Sequence, residues 1–151
     1  LQLGLDQKMT VETAFQSSKV FQNGGPYEDL RFGTSRAAKK DQRIRKSGKL
    51  IDFVFLEDRW PLVPKTIFYD WLYLNALAEN ASLSTSLLDF DTFTDIEFNP
   101  KRSFNCQARS AAIYCSLVKR ELLETALQSK GNFIEILSGH YAKEETEPSL
   151  F

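Results

Sequence analysis

A chain of 151 residues, 42% hydrophobic and 13% aromatic, is long enough for one domain with a buried core. Its formal net charge is −1, and no apolar run approaches the length of a membrane span, so no membrane association is expected. The single histidine, His140, excludes His-pair metal sites and argues against a Ser-His-Asp triad, leaving acid–base work to carboxylates and lysine.

The first predicted element is a helix over residues 10–21. Thr10 can cap it, and neither Gly nor Pro interrupts it before Asn23-Gly24-Gly25-Pro26. At roughly 100° per residue, Val11, Ala14, Phe15, Ser18 and Phe21 share a core-facing side. Glu12, Gln16 and Lys19 follow i, i+4, i+7 spacing on a polar strip beside it, with about 10.5 Å of helix rise between Glu12 and Lys19. Two long side chains leaning together across that gap could hold one sugar ring. An ordinary solvated polar face has the same spacing, and from spacing alone it is the weightier reading.

After the Asn23–Pro26 turn, residues 27–30 suit one helical turn, and Ser35 is placed to cap a helix from Arg36 to about Lys46. Lys49–Leu56 is the best strand, followed by a loop at Glu57-Asp58-Arg59. Trp60-Pro61-Leu62-Val63-Pro64 then leads into what reads as the longest and most central helix, about 65–80, with Pro64 at its first position. A helix over 82–90 follows, then irregular chain or short strand over 91–104. Cys106–Arg120 is helical, with Ala108, Ala111, Ala112 and Cys115 allowing close packing. Residues 121–128 continue helically, and 132–138 suit strand or helix equally. Cys106 and Cys115, about 13 Å apart along one helix, cannot bridge and read as buried thiols in a reducing cytoplasm. The pattern predicts an α+β fold, mainly α, with residues 1–141 as the domain and 142–151 as a flexible acidic tail. The chain opens Leu1-Gln2-Leu3-Gly4 without Met, as a fragment or a trimmed chain would.

Charge is unevenly placed. Residues 31–49 hold eight basic side chains, among them Arg36, Lys39, Lys40 and Arg43, against Asp41 alone. Such a segment suits a phosphate-rich partner, and a solvated helix face accounts for it equally well. No groove-reading motif, Gly-rich phosphate loop or metal-ligand cluster is present, so neither a cofactor nor a metal is implied.

The run Thr10-Val11-Glu12-Thr13-Ala14-Phe15-Gln16-Ser17-Ser18-Lys19, followed by Ser35-Arg36-Ala37-Ala38-Lys39 and a Trp60-led helix, resembles the NADAR family. Within that family it is similar to the branch encoded beside DarT-type toxins, which ADP-ribosylate guanine in DNA. The resemblance runs from about Lys8 to Glu121. It implies a compact helical domain with a small sheet, and it carries over the family's glutamate to Glu12, glutamine to Gln16, lysine to Lys19 and tryptophan to Trp60. A later acidic position falls on Asp95 and an asparagine on Asn105, with Gln107 and Arg109 in the same block. Where the family usually shows Trp-Gly and further glycines, this chain reads Glu97-Phe98-Asn99-Pro100-Lys101-Arg102-Ser103-Phe104, which argues against the riboflavin-pathway branch. A strand that precedes the Glu helix in the family is missing here or reduced to residues 1–7.

The resemblance implies cleavage of an N-glycosidic bond to an ADP-linked or phosphorylated ribose. Glu12 and Lys19 are the expected catalytic pair, the carboxylate moving a proton or stabilising a cationic ribosyl centre, the uncharged amine attacking C1. Gln16, Trp60, Asp95, Asn105, Gln107 and Arg109 are expected to bind ADP-ribose, with Trp60 able to stack a base or to fill the core. Arg36, Lys39, Lys40 and Arg43 are expected to contact ADP-ribosylated single-stranded DNA. The expected protein is a cytoplasmic, monomeric antitoxin to a DarT-type toxin. An N-glycosidase of riboflavin-pathway ribosylamine phosphates, or a non-catalytic module binding toxin or ADP-ribose, are the competing readings.

Overall fold

A computed structural model describes residues 1–3, 6–94 and 107–146, with only the backbone described at 140 and 142–146. Asp95, Asn105 and Cys106 lie outside the described residues. The fold is α+β and mainly helical. The described residues form eight α-helices and a three-stranded antiparallel sheet of order β1-β2-β3.

The sheet is built from β1 (Lys19–Phe21), β2 (Leu50–Phe55) and β3 (Asp58–Trp60). The strand expected at 49–56 is therefore present, but the loop expected at 57–59 is a hairpin. Leu56 and Glu57 take φ of 47° and 71°, the left-handed pair that a two-residue turn needs, and Asp58 and Arg59 already pair with Phe55 and Val54. Alternation along β2 turns Phe53 and Phe55 into the core.

Helix α4 (Ile67–Ala78) is central, as its broad apolar face predicts, and it buries Ile67, Phe68, Leu72, Leu74 and Leu77. It is not the longest. That is α8 (Lys130–Thr146), which settles the open reading of 132–138: Phe133, Leu137 and Tyr141 are buried at four-residue spacing, one above another on a single helix face. Helices α5 (Ala81–Leu87), α6 (Gln107–Lys119) and α7 (Leu123–Gln128) complete the set on this side. Glu121, at φ 56°, makes the bend between α6 and α7.

The basic helix expected at 36–46 is two helices, α2 (Ser35–Lys40) and α3 (Gln42–Lys46). Thr34, not Ser35, caps the first, accepting from the Ala37 amide. Asp41 leaves the helical region (ψ 126°) and caps α3 through the Arg43 amide, and this local bond competes successfully with a continuous helix.

Phe15, Phe53, Phe55, Trp60, Phe68 and Phe133 form one aromatic cluster, with neighbouring ring centroids 5.0–6.4 Å apart. No described helix is long and apolar enough to cross a membrane, and no cluster of metal-ligating side chains occurs among the described residues.

Candidate active site

Helix α1 (Val11–Ser17) begins as expected. Thr10 accepts from the Thr13 amide at 3.0 Å, and the Thr13 hydroxyl accepts from the Thr10 amide at 3.1 Å. The Thr10 hydroxyl also meets Ser35 at 2.9 Å, which ties the start of α1 to the start of α2.

The helix ends sooner than its pattern suggests. Ser17 and Ser18 both donate their hydroxyls to the Ala14 carbonyl, at 3.1 and 2.7 Å, and Ser18 is the last residue in the helical region. Lys19 consequently stands on β1, opposite Phe53, and not on the helix with Glu12 and Gln16. Tertiary pairing overrides local periodicity here: the Ser18 carbonyl accepts from the Val54 amide at 2.8 Å, and the Ser17 carbonyl from Tyr27 at 2.9 Å. The other wall of this turn is Gly25. A Cβ there would come within 2.2 Å of the Lys19 carbonyl oxygen, and its φ of 89° also favours glycine.

The strand nevertheless returns Lys19 to Glu12. Its Nζ lies 4.9 Å from the centre of the Phe15 ring, one helical turn below Glu12. Burial holds the amine below the usual lysine range; the neighbouring Glu12 carboxylate opposes this shift and the Lys39 cation adds to it. Glu12 itself is anchored at both oxygens. Oε1 accepts from Gln16 Nε2 at 2.7 Å, and Oε2 pairs with Lys39 Nζ at 3.1 Å.

Sequence reasoning missed Tyr69. It packs edge-on against Phe15 with centroids 5.4 Å apart, and both Glu12 and Gln107 are close enough to influence its hydroxyl. Burial is the main reason its hydroxyl is pushed up to about 12, so it remains a neutral donor. Tyr69 thus stands near both Glu12 and Gln107, two expected site residues about a hundred positions apart in sequence.

Other expected site residues are placed elsewhere. Trp60 is fully enclosed, 4.9 Å from Trp71 and 5.4 Å from Phe68 between ring centroids, so the core role displaces base stacking. Arg109 is committed to Asp70 at 2.5 Å and to the Thr66 hydroxyl at 2.7 Å, and its guanidinium stacks on Tyr141. Asp70, 1% exposed, also accepts from Ser110 and Tyr141, so it joins α4, α6 and α8. A carboxylate in the middle of an otherwise apolar helix face was the available signal for it. In the basic segment, Arg43 pairs with Asp29 at 2.6 Å and Asp41 at 2.9 Å and lies over Tyr27, so its charge is neutralised within the fold. Lys39 turns to Glu12. Arg36 and Lys40 are exposed on α2 and make no ion pair among the described residues.

The arrangement is thus a half-buried amine beside a doubly anchored carboxylate, with a neutral phenol on one side and exposed cations on the next helix. A comparison with curated proteins returned no match. The model of the DarT1-associated NADAR antitoxins matches residues 1–147. With that match spanning nearly the whole chain, the protein belongs to the DarT1-associated NADAR antitoxin family.

Proposed function

We propose that this protein hydrolyses the N-glycosidic bond between ADP-ribose and guanine in DNA, and that it acts in this way as the antitoxin to a DarT1-type toxin in the cytoplasm. The observation that carries the reading is the Lys19 amine, held below the usual lysine range by burial beside the anchored Glu12. A larger neutral fraction at working pH is what a nucleophilic amine needs.

In this mechanism the Lys19 lone pair forms a bond to the ribose C1 while the C1–N electrons leave with guanine, whose nitrogen takes a proton. The ring then opens to an iminium, water adds at C1, and the lysine leaves with a proton as ADP-ribose is released. Glu12 handles the protons and faces the cationic ribosyl centre. Gln16 and Gln107 orient the carboxylate and the Tyr69 hydroxyl, and Asp95 and Asn105 are proposed contacts to ribose or phosphate. Arg36 and Lys40 are proposed contacts to the DNA backbone. Arg109 acts indirectly, by fixing α6 on α4.

The test is release of free ADP-ribose from an ADP-ribosylated guanine oligonucleotide, with borohydride trapping of the intermediate. Glu12→Gln and Lys19→Ala each lower turnover by about a hundredfold or more, and trapping disappears in Lys19→Ala. Wild-type turnover in Lys19→Ala would refute the assignment. Neutralising Arg36 and Lys40 weakens oligonucleotide binding and flattens its salt dependence.

A further inference from the structure

Glu12 and Lys19 are close enough to interact electrostatically, yet among the described residues no carboxylate lies within ion-pairing distance of Lys19. An acid and an amine so placed would ordinarily collapse into a salt bridge, which would protonate the amine and remove its nucleophilic lone pair. The geometry shows how the carboxylate is otherwise engaged. The two oxygens of Glu12 are divided between Gln16, 2.7 Å away on the same helix, and Lys39, 3.1 Å away on α2. We propose that Lys39 is a positioning residue that occupies the second Glu12 oxygen, keeps the carboxylate from pairing with Lys19, and so leaves that amine free to attack.

Lys39 is suited to this. Its side chain is 59% exposed while that of Glu12 is 23% exposed, so the cation reaches inward from the rim of the site without itself losing most of its hydration. Its backbone is fixed relative to Glu12, because the Thr10–Ser35 contact locks the first turns of α1 and α2 together. Ala38, 1% exposed, is the buried residue of α2, and its small side chain permits close packing of that helix. Lys39 also adds a like charge beside Lys19, which favours its neutral form. The charged or titratable groups around Lys19 are therefore Glu12 on α1, Lys39 on α2 and, through Glu12, Tyr69 on α4; its strand partner Phe53 carries no charge.

The role rests on Lys19 acting as the nucleophile, but it can be tested apart from turnover. Lys19 is titrated on the free protein by isotope-labelled reductive methylation and NMR, in wild type, Lys39→Met and Lys39→Arg. In Lys39→Met the Lys19 titration moves to higher pH, and Lys39→Arg returns it toward the wild-type position. In the ADP-ribose release assay, Lys39→Met lowers kcat at neutral pH on the order of tenfold, with its pH profile displaced upward and KM changed far less. An unchanged Lys19 titration in Lys39→Met would overturn the inference. If wild type releases no ADP-ribose, the proposed function fails while the titration still decides the role of Lys39.

Discussion

Replacing Asp70 by Ala tests whether the α4–α6–α8 junction is held by one carboxylate. Asp70 is 1% exposed and accepts from Arg109 at 2.5 Å, Ser110 at 2.6 Å and Tyr141 at 2.7 Å. Removing one partner of a buried ion pair costs about 3–5 kcal/mol, because the other charge stays behind without compensation. Arg109 retains the Thr66 hydroxyl at 2.7 Å and its side chain is 20% exposed, so the lower end, about 3 kcal/mol, is expected. Tyr141→Phe removes a single donor to the carboxylate and costs about 1.5 kcal/mol. Burial, reinforced by the Asp70 charge, holds the Tyr141 hydroxyl above its ordinary range, so it remains a donor at any working pH. In the Asp70→Ala background that hydroxyl has already lost its acceptor, and Tyr141→Phe then costs close to nothing. Urea unfolding of the two single variants and the double variant closes the cycle, with an expected coupling of about 1.5 kcal/mol. A loss below about 1 kcal/mol for Asp70→Ala, or strict additivity, would refute the junction as described.

Two further outcomes follow from the walls of the site. Gly25→Ala forces a Cβ toward the Lys19 carbonyl and strains a left-handed backbone, so it lowers stability by about 1–3 kcal/mol and lowers kcat by moving Lys19; a variant matching wild type in both thermal melting and ADP-ribose release would contradict the close approach. Tyr69 holds its proton up to about 12, against about 10 in an unfolded chain. Its contribution to stability is complete below pH 10 and lost as pH rises through 12, roughly 2–3 kcal/mol at about 1.4 kcal/mol per unit. Tyr141 shares this alkaline slope, so Tyr69→Phe flattens it in part, and an unaltered slope in denaturation followed across that window counts against the shift.

What could be read from the sequence divides along a physical line between local and long-range pairing. The Thr10 cap, the centrality of α4 and the strand at Phe53 and Phe55 rest on neighbours within a few positions, and each is present. Lys19 was placed on a helix because Ser17 and Ser18 do not break the period. Its true position depends on hydrogen bonds to Val54, which a local window cannot contain. Arg43 looked like a free cation for the same reason, since one of its carboxylate partners, Asp29, is fourteen residues away. The expectation that Glu12 and Lys19 share one neighbourhood agrees with their electrostatic coupling, although the spacing argument offered for it does not apply: a strand, not two turns of helix, returns the amine to the acid. This origin has a consequence for the chemistry. An amine on the same helix face would move with its carboxylate, whereas one fixed by β2 and Gly25 keeps its place independently, so Glu12 can be drawn toward Lys39 without dragging the nucleophile along.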